Sequence, residues 1–128
     1  MKLLIDTHLL LWAAGDPSRV PSRARDLIND LGNIPMFSVV SLMEVSIKTA
    51  RSRPDFRVDA RRLRSMLLAS GYEELAVTGE HAVAVGPLEP IHKDPFDRLL
   101  LAQAFAEEAT LLTSDATLAR YQGPILKV

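Results

Sequence analysis

The sequence predicts an α/β fold in which a parallel sheet is sandwiched between helices. Three observations carry this. Short apolar runs alternate with helical patterns along the whole chain. Those runs are continuously apolar, as strands covered on both faces should be, rather than alternating apolar and polar. The 128 residues, 48% of them hydrophobic, fit one domain over residues 1–128 with enough apolar surface for a real core.

Residues 2–5 are an apolar run ending at Asp6 and read as a buried strand. Residues 7–14 carry a compact helical pattern, stopped by Gly15, Asp16 and Pro17. Pro21 and Ser22 open a second helix reaching about Leu31, with Gly32 just past its end. Residues 36–40 read as a strand. Ser41 then reads as an N-cap, with Glu44 three residues later completing a capping-box pattern, and the helix runs to about Arg51. Residues 53–56, with Pro54, form a loop. Asp59 caps a helix through Ala69 that Gly71 ends. A strand is expected at residues 75–77 and a short helix at 79–85, followed by a loop punctuated by Pro87 and Pro90. The longest helix spans residues 94–108. A strand at 110–113, a short helix at 116–121 and a last strand at 125–127 complete the chain.

Composition excludes several classes. The absence of Cys removes disulfide scaffolds, thiolate metal sites and Cys nucleophiles. A net charge of −1 is not that of a protein coating nucleic acid wholesale, although a local basic groove stays compatible with it. The longest apolar stretch, residues 9–14, falls far short of the ~18 residues a spanning helix needs. Asp6 and His8 interrupt the apolar N-terminus, so it does not read as a signal sequence, and a cytoplasmic protein without membrane association is expected.

Ligands of open parallel sheets bind beyond the carboxyl ends of the strands. Asp6 and Asp115 follow two of the predicted strands, and Glu44 and Asp97 lie in helices aimed at the same edge. Four carboxylates on one rim repel one another unless a cation sits among them. Hard divalent ions take such oxygen ligands, and a site of this kind suits phosphodiester hydrolysis. Each acid also has a plainer reading. Asp6 and Asp115 fit N-caps, and Glu44 fits the capping box with Ser41. In Asp94-Pro95-Phe96-Asp97, Asp94 reads as the cap and Asp97 as the ligand.

At this point the residues resemble a family, the PIN-domain ribonucleases, and within it the VapC-type toxins of bacterial type II toxin–antitoxin pairs. The matching stretches are Leu4-Ile5-Asp6-Thr7-His8 with Leu10-Leu11-Trp12, the run from Ser41 to Lys48, His92-Lys93-Asp94-Pro95-Phe96-Asp97-Arg98, and Leu111-Leu112-Thr113-Ser114-Asp115. They span nearly the whole chain in the family's order. The resemblance implies a three-layer α/β/α, PIN-like domain with a short parallel sheet. It implies RNA hydrolysis dependent on Mg²⁺ or Mn²⁺, a homodimer, and inhibition by a cognate VapB-type antitoxin. Carried over, Asp6, Glu44, Asp97 and Asp115 are the catalytic, metal-binding quartet. One stretch departs: where a Gly-Lys turn is expected after Lys48, this chain reads Thr49-Ala50-Arg51-Ser52-Arg53.

Around the quartet, alternatives stay open. Lys48, four residues after Glu44, is a surface ion pair or a phosphate-contacting cation. Arg98 binds phosphate or lies on the helix flank. Thr7 and Ser114 orient carboxylates or cap backbone. His92, in the loop before the Asp97 helix, is structural or touches substrate. Residues 51–64 hold six arginines, Arg51, Arg53, Arg57, Arg61, Arg62 and Arg64, against Asp55 and Asp59, and serve RNA, the antitoxin or only solvent. The competing function is a catalytically inactive PIN-like binding module acting through its complex. A haloacid-dehalogenase-type phosphatase wants Asp-x-Asp after the first strand, where this chain has Asp6-Thr7-His8. A phosphoacceptor receiver wants an acidic pair after the first strand and a central-strand Asp, and the strand end at Val77-Thr78 offers none.

Overall fold

The computed structural model describes residues 1–50 and 58–128. The expected loop at residues 53–56, the departure after Ala50, and Arg51, Arg53 and Arg57 lie outside the described residues.

Five parallel strands form the sheet: β1 (Lys2–Ile5), β2 (Ile34–Ser38), β3 (Glu73–Leu75), β4 (Thr110–Thr113) and β5 (Ile125–Lys127), in the order β3-β2-β1-β4-β5. Six described α-helices surround it: α1 (Thr7–Gly15), α2 (Ser22–Asn29), α3 (Val39–Ala50), α4 (Ala60–Ala69), α5 (Gly79–Ala84) and α6 (Pro95–Ala106). Successive strand residues point to opposite faces, and both faces are apolar. Leu3, Ile5, Phe37 and Leu112 pack with Leu9, Ala24 and Leu63 of α1, α2 and α4. Leu4, Met36 and Leu111 pack with Leu100, Leu101 and Ala104 of α6 on the other side. Helices thus cover both faces, giving the expected three layers. Leu3, Leu4, Ile5 and Phe37 are fully buried, each worth roughly 1.5–3 kcal/mol relative to exposure.

Local chemistry sets the helix ends. The Asp59 side chain accepts from the Arg61 N–H, and Gly71, at φ +87°, supplies the left-handed residue that ends α4. Asp94 caps α6 by accepting from the Phe96 and Asp97 N–H groups, with Pro95 in the first turn. Several boundaries differ from expectation. β2 starts at Ile34 and α3 at Val39, so Ser41 and Glu44 lie inside the helix and make no capping box. The Val40 N–H donates instead to Ser38 Oγ at 3.1 Å. β3 comes two residues early, at Glu73–Leu75, because it is an edge strand with two exposed glutamates. The expected helix at 116–121 shrinks to a 3₁₀ turn, Leu118–Arg120. Among the described residues no helix is long and apolar enough to cross a membrane.

Strand order reverses at β1, with β2 and β3 on one side and β4 and β5 on the other. Such a switch point opens a crevice at the carboxyl ends of the central strands. Asp6 leaves β1 there with its N–H on Leu112 O at 3.0 Å, and Asp115 lies two residues past neighbouring β4.

Candidate metal centre

The four acids come from four segments and form one electrostatic cluster. Asp97 feels the charges of Asp94, Glu44 and Asp6, and Asp6 feels that of Asp115. Capping and clustering prove compatible, because each carboxylate has two oxygens. Asp6 caps α1 by accepting from the Leu9 N–H at 3.0 Å through Oδ1, while Oδ2 accepts from the Thr113 hydroxyl. Burial pushes the Asp6 carboxyl above its usual range, against the lowering effect of those two donors. Asp115 Oδ1 accepts from the N–H groups of Thr117 (2.7 Å) and Leu118 (3.3 Å). Burial alone would raise Asp115, but the His92 hydrogen bond and these two backbone donors hold it below the usual range.

Glu44 is 3% exposed. Lys48 Nζ reaches its Oε2 at 2.6 Å, so the expected pair exists but with a buried acid rather than on the surface. Oε1 of Glu44 has no hydrogen-bond partner among the described residues. A buried carboxylate oxygen without a donor is costly and calls for a cation or other donor. Asp97 is the most perturbed acid. Burial first, then the charge of Asp94, raise it to about 7, despite the opposing pull of His92.

His92 comes closer to the acids than a loop histidine need. Its Nε2 lies 3.2 Å from Asp97 Oδ2 and 3.1 Å from Asp115 Oδ2. One ligand atom from each of His92, Asp97 and Asp115 lies within 4.8 Å of the others.

Other candidates are occupied elsewhere. The Thr7 hydroxyl donates to Ser41 Oγ at 2.9 Å, tying α1 to α3 rather than orienting an acid. Ser114 makes no side-chain hydrogen bond among the described residues, and its neighbour Thr113 is the hydroxyl that reaches Asp6. The sequence reading missed Thr113, although a polar residue closing the apolar run of β4 was the available signal. Arg98 faces away from the acids: its guanidinium donates to the carbonyls of Val85, Leu88 and Glu89 at 2.9–3.3 Å. Arg64 pairs with Glu74 at 2.5 Å, while Arg61 and Arg62 are exposed.

Four carboxylates, one of them with a buried oxygen unpartnered among the described residues, offer the kind of oxygen donors a hard divalent cation takes. Comparison with solved structures agrees on the fold. VapBC2 from Rickettsia felis, bound to a DNA fragment from its promoter, is 17% identical, covers 100% of this chain and 99% of its own, and superposes with a TM-score of 0.75. DNA-bound VapBC from Salmonella typhimurium is 17% identical, with 99% and 98% coverage and a TM-score of 0.70. VapBC-5 from Mycobacterium tuberculosis, of the VapBC family of toxin–antitoxin systems, is 21% identical, with 99% and 98% coverage and a TM-score of 0.62. No curated protein matches the chain. The PIN domain family model matches residues 3–124, and the chain belongs to the PIN domain family.

Proposed function

We propose that the protein is an endoribonuclease dependent on Mg²⁺ or Mn²⁺, and the toxin of a toxin–antitoxin pair. The observation that carries the reading is the mutual charge effect among Asp6, Glu44, Asp97 and Asp115, with a buried Glu44 oxygen that has no hydrogen-bond partner among the described residues. These four residues are the catalytic acids and hold the cation. When bound, a divalent cation supplies charge neutralisation and water activation for phosphodiester hydrolysis.

The chain's own residues prepare the site. The Leu9 N–H and the Thr113 hydroxyl fix Asp6. The Thr117 and Leu118 N–H groups fix Asp115. Lys48 neutralises one oxygen of Glu44 and leaves the other for the ion. Asp97 must give up its proton to take part, which its raised value near 7 permits at neutral pH. The VapBC neighbours support a VapB-type antitoxin as partner; we propose in addition that the protein is a cytoplasmic homodimer which that antitoxin inhibits.

The test is RNA cleavage by protein stripped of any co-purifying partner. A panel of folded RNAs is offered with Mg²⁺ or Mn²⁺, beside EDTA and Asp97→Asn controls. Discrete cuts that vanish in both controls are expected. A folded protein that cuts nothing and binds neither ion overturns the reading in favour of an inactive binding module.

A further inference from the structure

We infer that His92 is a positioning residue of the acidic centre, whose Nε2–H clamps the Asp97 and Asp115 carboxylates together. The inference rests on the reading of these acids as a cation site and deepens it. Three observations carry it.

The first is the tautomer. His92 Nδ1 accepts from the backbone N–H of Asp94 at 3.0 Å. A backbone N–H only donates, so Nδ1 presents its lone pair and the hydrogen of the neutral ring sits on Nε2. That nitrogen hydrogen-bonds Asp115 Oδ2 at 3.1 Å and lies 3.2 Å from Asp97 Oδ2, an ion-pair contact. A metal-binding histidine does the reverse: its bare nitrogen meets the ion and its N–H meets a carbonyl or carboxylate. Here the bare nitrogen faces the backbone, so His92 serves the carboxylates rather than the ion.

The second is how firmly the residue is held. The His92 N–H donates to Tyr121 Oη at 2.9 Å. Arg98 Nη1 lies 3.5 Å from the His92 carbonyl and 3.2 Å from Tyr121 Oη, and the Tyr121 hydroxyl donates to Glu89 O at 2.8 Å. Ring, N–H and carbonyl are therefore all anchored. The Arg98 guanidinium, spent on loop carbonyls, finds its role in this scaffold.

The third is what the clamp leaves open. Asp115 Oδ1 is filled by backbone donors and Oδ2 by His92. The contact to His92 involves Asp97 Oδ2 alone, and Glu44, whose charge Asp97 feels, keeps an oxygen that is unpartnered among the described residues. Asp97 and Asp115 arrive on separate elements, and the His92 ring bridges them.

The experiment is Mn²⁺ binding by calorimetry to the full chain, in wild type, His92→Ala and His92→Gln, with melts of each ion-free protein. Loss of a hydrogen-bond partner to a metal ligand typically weakens binding roughly 10–100-fold. That loss is expected for His92→Ala, with partial recovery in His92→Gln, whose amide N–H reaches the same region. Pulsed electron paramagnetic resonance of the wild-type Mn²⁺ complex is expected to show no directly bonded nitrogen. An alanine variant that binds Mn²⁺ as tightly as wild type overturns the inference, and so does a bonded nitrogen. If the alanine variant does not fold, the resonance experiment and the glutamine variant decide. Failure of wild type to bind Mn²⁺ sinks the cation reading itself, and is distinguishable because it needs no variant.

Discussion

Asp97 concentrates the electrostatic cost of the site in one side chain. Its carboxyl is raised from the usual 3.8 to about 7, by burial first and then by the charges of Asp94, Glu44 and Asp6. The sign of the linkage follows. Between those values the native state holds a proton that the unfolded chain has released. The stabilisation is fully present below about pH 4 and is lost as pH rises through about 7. Asp6, also raised by burial, acts in the same direction. Asp115, held low, contributes stability that disappears only in acid. The ion-free protein is therefore expected to lose stability between about pH 4 and pH 8, and Asp97→Asn to relieve that loss. Melts in EDTA should show the asparagine variant more stable at about pH 8 by on the order of 1–2 kcal/mol, the difference closing near pH 4. Parallel pH profiles for the two proteins would contradict this account.

Elements whose signals are local were legible in the sequence, and those set by distant partners were not. β1 ends on a capping acid, α4 runs from Asp59 to a left-handed glycine, and α6 starts at Asp94-Pro95; each boundary is written within a few residues. The start of α3 is different. Ser41 and Glu44 have capping-box spacing, but the Ser41 hydroxyl is buried against Thr7, and the helix begins at Val39 instead. No local pattern names a partner 34 positions away. The start of β3 was misplaced by two residues because its Glu73 and Glu74 face solvent at the sheet edge. Arg98 escaped because a cation beside a site acid reads like a phosphate ligand, whereas its acceptors are carbonyls of the loop before α6. This gives an expected outcome at the level of that loop. Arg98→Ala strips donors from several partly buried carbonyls, which costs about 1–3 kcal/mol. Hydrogen exchange should accelerate over residues 85–92 while β1 and β4 stay protected. Arg98→Lys should not restore protection, since a single ammonium cannot span the fork of acceptors. Unchanged exchange in the alanine variant would show that the guanidinium does not hold the loop.

At the scale of the whole molecule, the order β3-β2-β1-β4-β5 gathers the acids. Positions 6, 44, 97 and 115 meet only because β1 and β4 are neighbours at the switch point and α3 and α6 flank it. The parallel topology was readable from alternating patterns, and with it the shared edge. The burial of Glu44 in its i,i+4 pair with Lys48, the His92 bridge and the Thr113 hydroxyl were not, because they depend on how side chains pack across elements. A fold that buries repelling carboxylates without a counterion keeps them at the expense of stability. A cation that binds only the native state returns that stability by mass action. At a hundred times its dissociation constant it adds about 2.7 kcal/mol. For a chain of this length that is a rise on the order of 10 °C in melting temperature. Mn²⁺ at saturation is expected to produce such a rise, EDTA to reverse it, and the double variant Asp6→Asn, Asp97→Asn to melt at one temperature with or without the ion. If wild type also melts at one temperature in both conditions, the native state binds no cation, and the acids of the crevice need another partner.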